Sequence, residues 1–235
     1  MYKITSYKFI NNNSKFTTLY LHGWQTNYKY MEKLAISNKT NHLLIDLPCF
    51  GKNEEPLSPL TLVDYKDSIC HFLKTNDFTV DIIVAHSFGG KISMLLANCL
   101  NIKSMVLISP SIFHKSRGLI YYMKIFTYKI IKRFKRFQGL LSRFGSQDYR
   151  SLSPVMKKTM SNVINFSVKH DLKKINIFTY LVFSSNDKIT PFHLGKKIQK
   201  NLICCKLIKI QGDHFAYLKN IGLINHLIEK ALKKC

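Results

Sequence analysis

Ala85-His86-Ser87-Phe88-Gly89-Gly90 follows an apolar run over residues 80–84 and precedes a helical pattern over 91–100. Read together, these segments predict a strand, a sharp turn and a helix centred on one serine. A serine on such a turn holds its hydroxyl clear of the backbone, and the helix behind it offers unpaired N–H groups to a developing negative charge. The small residues answer a steric demand. Ala85 and Gly89 flank the turn where a larger side chain would clash. The stretch matches the pattern Gly-x-Ser-x-Gly with alanine in the first glycine position. The pattern is short, so its weight comes from the predicted strand before it, the helix after it and the partners further along.

Two partners lie in the second half of the chain. An apolar run over 178–183 ends at Ser184-Ser185-Asn186-Asp187. Another, over 202–210, ends at Gln211-Gly212-Asp213-His214-Phe215. Asp187 and His214 therefore fall just past the C-terminal ends of predicted strands, the edge at which open parallel sheets bind ligands. Two further stretches follow strands in the same way, His22-Gly23-Trp24 after a strand Thr17–Leu21 and Asp46-Leu47-Pro48-Cys49-Phe50-Gly51-Lys52 after a strand over 42–45, and the Asp187 stretch continues as Asn186-Asp187-Lys188-Ile189-Thr190-Pro191. With these motifs in this order, the chain resembles the α/β-hydrolase family of serine esterases and lipases. The likeness spans nearly the whole chain except residues 111–174.

The resemblance implies a fold and a chemistry. The fold is a mostly parallel α/β sheet with helices on both faces, in one domain over residues 1–235, with a helical cap inserted at about 111–174. Ser87 is the implied nucleophile, His214 its general base and Asp187 the acid that orients the base, in the chain order this architecture uses. The backbone N–H groups of Trp24 and Phe88 are the implied oxyanion donors. His22, Gly23 and His86 are expected to line the substrate site, His22 chiefly by shaping its loop. No His-Glu-x-x-His and no Gly-x-Gly-x-x-Gly occurs, and neither a metal nor an organic cofactor is implied.

Position separates Asp187 from its rivals. Asp213 adjoins His214, and neighbours in sequence rarely aim their side chains at each other. Asp171 falls at the end of the cap. The place after the strand that follows the serine's helix reads Ser109-Pro110-Ser111, without a carboxylate. Of nine histidines, 42, 71, 114, 170, 193 and 226 read as structural or solvated.

Composition bounds the remainder. At 235 residues and 46% hydrophobic content the chain suits one large core. Residues 1–8 lack an apolar leader core, and no run of about 18 apolar residues occurs, so neither a secretory signal nor a membrane span is expected. The six cysteines (49, 70, 99, 204, 205 and 235) have no metal-type spacing and suggest reduced thiols in a cytoplasmic protein. A formal charge of +23 admits an electrostatic partner. The joint abundance of Lys, Asn, Ile, Phe and Tyr reads more simply as the residue usage of an AT-rich genome. No nucleic-acid-binding motif accompanies the charge.

Strands and helices alternate along the chain, as a parallel sheet covered on both faces requires. Residues 3–10 and 17–21 read as a hairpin, 28–37 as a helix, 42–45 as a strand and 62–75 as a helix. A strand over 103–108 follows the serine's helix. Beyond the cap come a strand over 175–183, a helix over 192–201, a strand over 202–210 and a closing helix over 217–233. The cap segment reads as helices over 117–137 and 153–166. The first is basic and amphipathic, a shape that lies on anionic membranes, meets an acidic acyl carrier protein, or packs its apolar stripe on the site mouth.

The expected activity is cleavage of a small-molecule carboxylic ester or thioester through an acyl-enzyme. Alternatives left open are a carbon–carbon bond hydrolase with the same residues, an esterase acting on acyl carrier protein, and a non-catalytic binding module.

Overall fold

The computed structural model describes residues 2–113, 149 and 151–234. Seven strands form one sheet: β1 Tyr7–Ile10, β2 Thr17–Leu21, β3 Asn41–Ile45, β4 Ile82–His86, β5 Ser104–Ile108, β6 Phe178–Ser184 and β7 Cys205–Ile210. Their spatial order is β1-β3-β2-β4-β5-β6-β7. Every pairing is parallel except β1 with β3. Strands β2 to β5 are buried along their whole length, as strands covered on both faces must be.

Side chains alternate between the two faces with period two. Leu19, Leu21, Ile83, Ala85, Met105 and Leu107 join one core, which packs α2 (Leu62–Thr75), α3 (Phe88–Leu96), α4 (Pro154–Asn165), α5 (Lys169–Leu172) and α6 (Phe192–Gln199). Tyr20, Ile82, Val84, Val106 and Ile108 join the other, under α1 (Tyr28–Glu32) and α7 (Ile221–Leu232). The expected α/β sheet with helices on both faces is the observed fold. Among the described residues no helix is long and apolar enough to cross a membrane.

The expected hairpin is not formed. β1 skips β2 and pairs antiparallel with β3, Tyr7 opposite Ile45. The reason lies in burial: Thr17–Leu21 is apolar enough to sit in the sheet interior, where β3 and β4 take both its edges, while the half-polar Tyr7–Ile10 is an exposed edge strand. Asn12 and Asn41 fix the detour, with the Asn12 amide N–H donating to Asn41 Oδ1 (2.9 Å) and the Asn12 side chain to the Thr40 carbonyl (2.7 Å). The closing helix is also split. Residues Ala216–Lys219 form a 3₁₀ turn, and Asn220 interrupts before α7, its side chain donating to the Ala216 carbonyl (2.8 Å).

Between β5 and β6, α4 is fastened at its middle and near its C-terminal end. The Leu60 N–H donates to Thr159 Oγ1 (3.0 Å), and the buried Lys91 ammonium of α3 donates to the Val163 carbonyl (2.6 Å) at the C-terminal end of α4. The basic helix expected over 117–137 lies outside the described residues.

Strand order reverses between β2 and β4. The chain leaves β2 toward β3 on one side and leaves β4 toward β5 on the other. In open α/β sheets the crevice at the carboxyl ends of such a strand pair is where ligands bind. β2 ends at His22-Gly23-Trp24 and β4 at His86-Ser87-Phe88.

Candidate active site

Ser87 sits between β4 and α3 with φ 50° and ψ −107°. A non-glycine residue at positive φ is strained and persists only where its surroundings over-determine it. Here the Ser87 N–H donates to the Ile108 carbonyl (2.9 Å), and the Ser111 N–H donates to the Ser87 carbonyl (2.9 Å). Glycine is required immediately after. A Cβ on Gly89 would fall 2.4 Å from the Leu21 carbonyl oxygen, and one on Gly90 would fall 2.5 Å from Pro110 Cβ. The turn is thus wedged between the ends of β2 and β5. Among the described residues no hydrogen bond reaches Ser87 Oγ.

The loop after β2 is held by a buried histidine. His22 Nε2 accepts from the Leu47 N–H (2.9 Å), so Nδ1 carries the proton and donates to the Gly23 carbonyl (2.7 Å). Burial pushes the His22 pKa down to about 4, against the opposing pull of the Gly23 bond and the Asp46 carboxylate, which keeps the ring neutral in that role. The Thr26 hydroxyl donates to the same Gly23 carbonyl (2.9 Å). A trans peptide sets its N–H opposite its C=O. Fixing the Gly23 carbonyl therefore fixes the direction of the Trp24 N–H. Among the described residues neither the Trp24 N–H nor the Phe88 N–H has a hydrogen-bond acceptor. The two residues are neighbours, their rings 5.2 Å apart, and a Cβ on Gly23 would lie 3.6 Å from Ser87 Cβ.

Behind His22, the buried Asp46 carboxylate accepts from the Ser6 hydroxyl (2.6 Å), the Tyr28 N–H (2.7 Å) and the Lys52 N–H (3.1 Å). This ties the N-terminal segment, α1 and the loop after β3 together beneath the Gly23 loop. A Cβ on Gly51 would overlap that carboxylate, so the turn at Gly51 (φ +64°) is closed to other residues.

Asp187 and His214 meet at the ends of β6 and β7, with His214 Nδ1 2.6 Å from Asp187 Oδ2. The aspartate is saturated with donors. Its Oδ1 accepts from the N–H groups of Ile189 (2.8 Å) and Thr190 (2.9 Å), and its Oδ2 also accepts from the Thr190 hydroxyl (2.8 Å). Burial raises the Asp187 pKa, but the His214 bond and the Thr190 donors outweigh it and bring it down to about 2. Asp213 turns elsewhere, its Oδ1 accepting from the Phe215 N–H (2.9 Å). Asp171 lies on α5.

His86 packs its ring against the Gly23 loop, where a Cβ on Gly23 would fall 3.0 Å from His86 Nδ1. It is 1% exposed, and its Nε2 donates to the His214 carbonyl (3.1 Å). Its ring packs against those of His214 and Tyr217 at 4.7 Å each. Burial, then the nearby His214, push its pKa down to about 3. The structure places it under His214, a support for the loop. The sequence reading missed this contact and missed Thr190. The Thr190 signal was present: an aspartate two to three residues before Ile-Thr-Pro caps a turn through its own carboxylate. Among the described residues no three His, Cys, Asp or Glu side chains gather as a metal site would need.

Residues 19–218 match the family described as the alpha/beta hydrolase family, and the chain belongs to it. A Mycoplasma pneumoniae protein named "Putative esterase/lipase 2" is 29% identical over 98 residues, 39% of this chain and 37% of that protein. The match thus spans little more than a third of that relative's length. Among solved structures, the lipase-esterase related protein of Clostridium acetobutylicum superposes with a TM-score of 0.72 at 20% identity, over 96% of this chain and 98% of that one. The meta-cleavage product hydrolase of Pseudomonas fluorescens gives 0.71 at 14% identity, over 97% and 94%. At these identities the structural likeness establishes the fold, which hosts more than one chemistry.

Proposed function

We propose that this chain is a serine hydrolase that cleaves a small carboxylic ester or thioester. The observation that carries the reading is the 2.6 Å bond between Asp187 and His214, made at the same sheet edge as the strained Ser87 turn. Family membership and the esterase and lipase names of relatives support the ester class.

In this reading His214 Nε2 takes the Ser87 hydroxyl proton as the oxygen attacks the acyl carbon. With its Nδ1–H held by Asp187, the ring presents the correct tautomer, and the carboxylate stabilises the imidazolium that forms. The negative charge on the former carbonyl oxygen is met by the N–H groups of Trp24 and Phe88. Preset directions mean these donors need no reorganisation as charge develops. The tetrahedral intermediate collapses, His214 protonates the leaving alcohol or thiol, and an acyl-Ser87 ester remains. Water attacks that ester with His214 again as base, releasing the acid and restoring the serine. His22 and His86 act through the loops they hold, with their rings neutral and buried.

The test is hydrolysis of p-nitrophenyl esters of rising acyl length at pH 7.5. The expected result is turnover above background with a preference for one range of lengths. Absence of turnover across the series, from folded protein, would overturn the ester reading.

A further inference from the structure

Cys70 and Cys99, 29 positions apart in sequence, meet in space. Cys70 lies on α2 and Cys99 in the turn that ends α3, and their sulfur atoms are 3.4 Å apart. Both thiols are free; Cys70 is half-buried and Cys99 is exposed. Their hydrogen bonds have a direction. Cys99 Sγ donates to the Leu96 carbonyl (3.5 Å), which leaves its sulfur to accept the Cys70 proton. Lys66 lies one helical turn before Cys70, and its ammonium bears on both sulfurs. The bond from Cys70 and the Lys66 charge, against partial burial and the Asp67 carboxylate that pairs with Lys66, draw the Cys99 thiol down to about 7. A thiol that is exposed, partly ionised and beside a second thiol has the features of a redox-active cysteine with its resolving partner.

We propose that Cys70 and Cys99 form a redox-active dithiol, which hydrogen peroxide converts to an intramolecular disulfide clasping α2 to the end of α3. In the first step the Cys99 thiolate attacks one peroxide oxygen. The O–O bond breaks, the sulfur becomes sulfenic acid and hydroxide leaves. In the second step the Cys70 sulfur attacks Cys99 Sγ. The S–S bond forms, the S–O bond breaks, and the departing hydroxide takes up the Cys70 proton as water. The sulfur pair loses two electrons and peroxide gains them, giving two waters in all. A disulfide measures about 2.05 Å, so the sulfurs must close by about 1.4 Å, within reach of side-chain rotation and a small helix shift.

The clasp would close a ring of roughly 30 residues containing β4, the Ser87 turn and α3. It sits at the far end of α3 from Ser87, roughly 13 Å along the helix. Oxidation should therefore stiffen the core around the site without touching the reacting groups. The unfolding midpoint should rise by roughly 5–10 °C.

The experiment treats the full chain with stoichiometric hydrogen peroxide, blocks remaining thiols with N-ethylmaleimide and maps the peptides by mass spectrometry. The expected result is a Cys70–Cys99 linked peptide, two fewer maleimides per chain and full reversal by a phosphine reductant. Cys70→Ser should lose the link and accumulate a sulfenic acid on Cys99 that dimedone captures. A first disulfide involving Cys49, Cys204 or Cys205, a link between two chains, or sulfinic acid on Cys99 of the unaltered protein without the link would each overturn the proposal.

Discussion

Thr190→Val isolates one support of the proposed acid. Valine keeps the branched shape and removes the hydroxyl that donates to Asp187 Oδ2 at 2.8 Å. Three donors remain on the carboxylate: two backbone N–H groups and His214 Nδ1. A hydrogen bond to a charged group contributes about 1.5–3 kcal/mol, so the variant should lose about 2 kcal/mol and roughly 4–8 °C of midpoint. The sign with pH follows from the depressed carboxyl. Asp187 titrates near 2 in the fold against a reference of 3.8. Its contribution, about 2 kcal/mol by linkage, is present above the reference pKa and lost as pH falls toward 2. In Thr190→Val the carboxyl moves up, so the stability gap to the unaltered protein should be full at pH 5–7 and narrow below about pH 4. Turnover should fall only about 10-fold, because the bond that orients His214 survives. Urea unfolding followed by circular dichroism across pH 2.5–7, with p-nitrophenyl ester kinetics at pH 7.5, measures both. A stability change under about 0.5 kcal/mol, a gap that widens on acidification, or a turnover loss as deep as that of Asp187→Asn would refute the reasoning.

Asp187→Asn should lower turnover by roughly 10⁴-fold, by analogy with the serine protease case, whereas Asp213→Asn should cost only a few-fold. The reverse order in steady-state kinetics would move the acid to Asp213. Gly89→Ala would set a methyl 2.4 Å and 2.8 Å from the carbonyl oxygens of Leu21 and His22, neither of which can rotate away. It should destabilise by about 2–3 kcal/mol and lower turnover by on the order of 10²-fold, since α3 and the Gly23 loop are forced apart. Gly222→Ala on α7, where a Cβ meets nothing within 4 Å, should leave activity intact and stabilise by up to about 1 kcal/mol, as thermal melts of the two variants will show.

The parts legible in the sequence were those fixed by local rules. Thr17–Leu21 and the runs before Ser87 and Asp187 read as strands because short, mostly apolar segments suit burial on both faces, whereas the run before His214, interrupted by Lys206 and Lys209, forms the half-exposed edge strand β7. Their C-terminal residues therefore fell on one sheet edge. Pairing was harder. Nothing local says that Tyr7–Ile10 passes over β2 to reach β3; the choice depends on which strand the whole sheet buries deepest. The side-chain role of His86 was hidden for a related reason: it acts on the His214 carbonyl, supplied by a distant loop, whereas the bond from Thr190 to Asp187 lies within one turn and only its contact with the Ser109 carbonyl is long-range. Cys70 and Cys99 read as scattered because helix packing, not spacing, brings them together.

The most direct test of the account is covalent labelling with a fluorophosphonate, followed by mass-spectrometric mapping of the modified residue. Ser87 shares positive φ with Ser109 (50° and 45°), but its position at the strand reversal, immediately before the N-terminus of α3, singles it out from the other serines at the same edge, Ser109, Ser111 and Ser185. The account predicts one phosphonyl adduct, on Ser87, that is lost in Ser87→Ala while the circular dichroism spectrum is kept. Labelling that persists in Ser87→Ala, or that maps to Ser109 or Ser185, would contradict it.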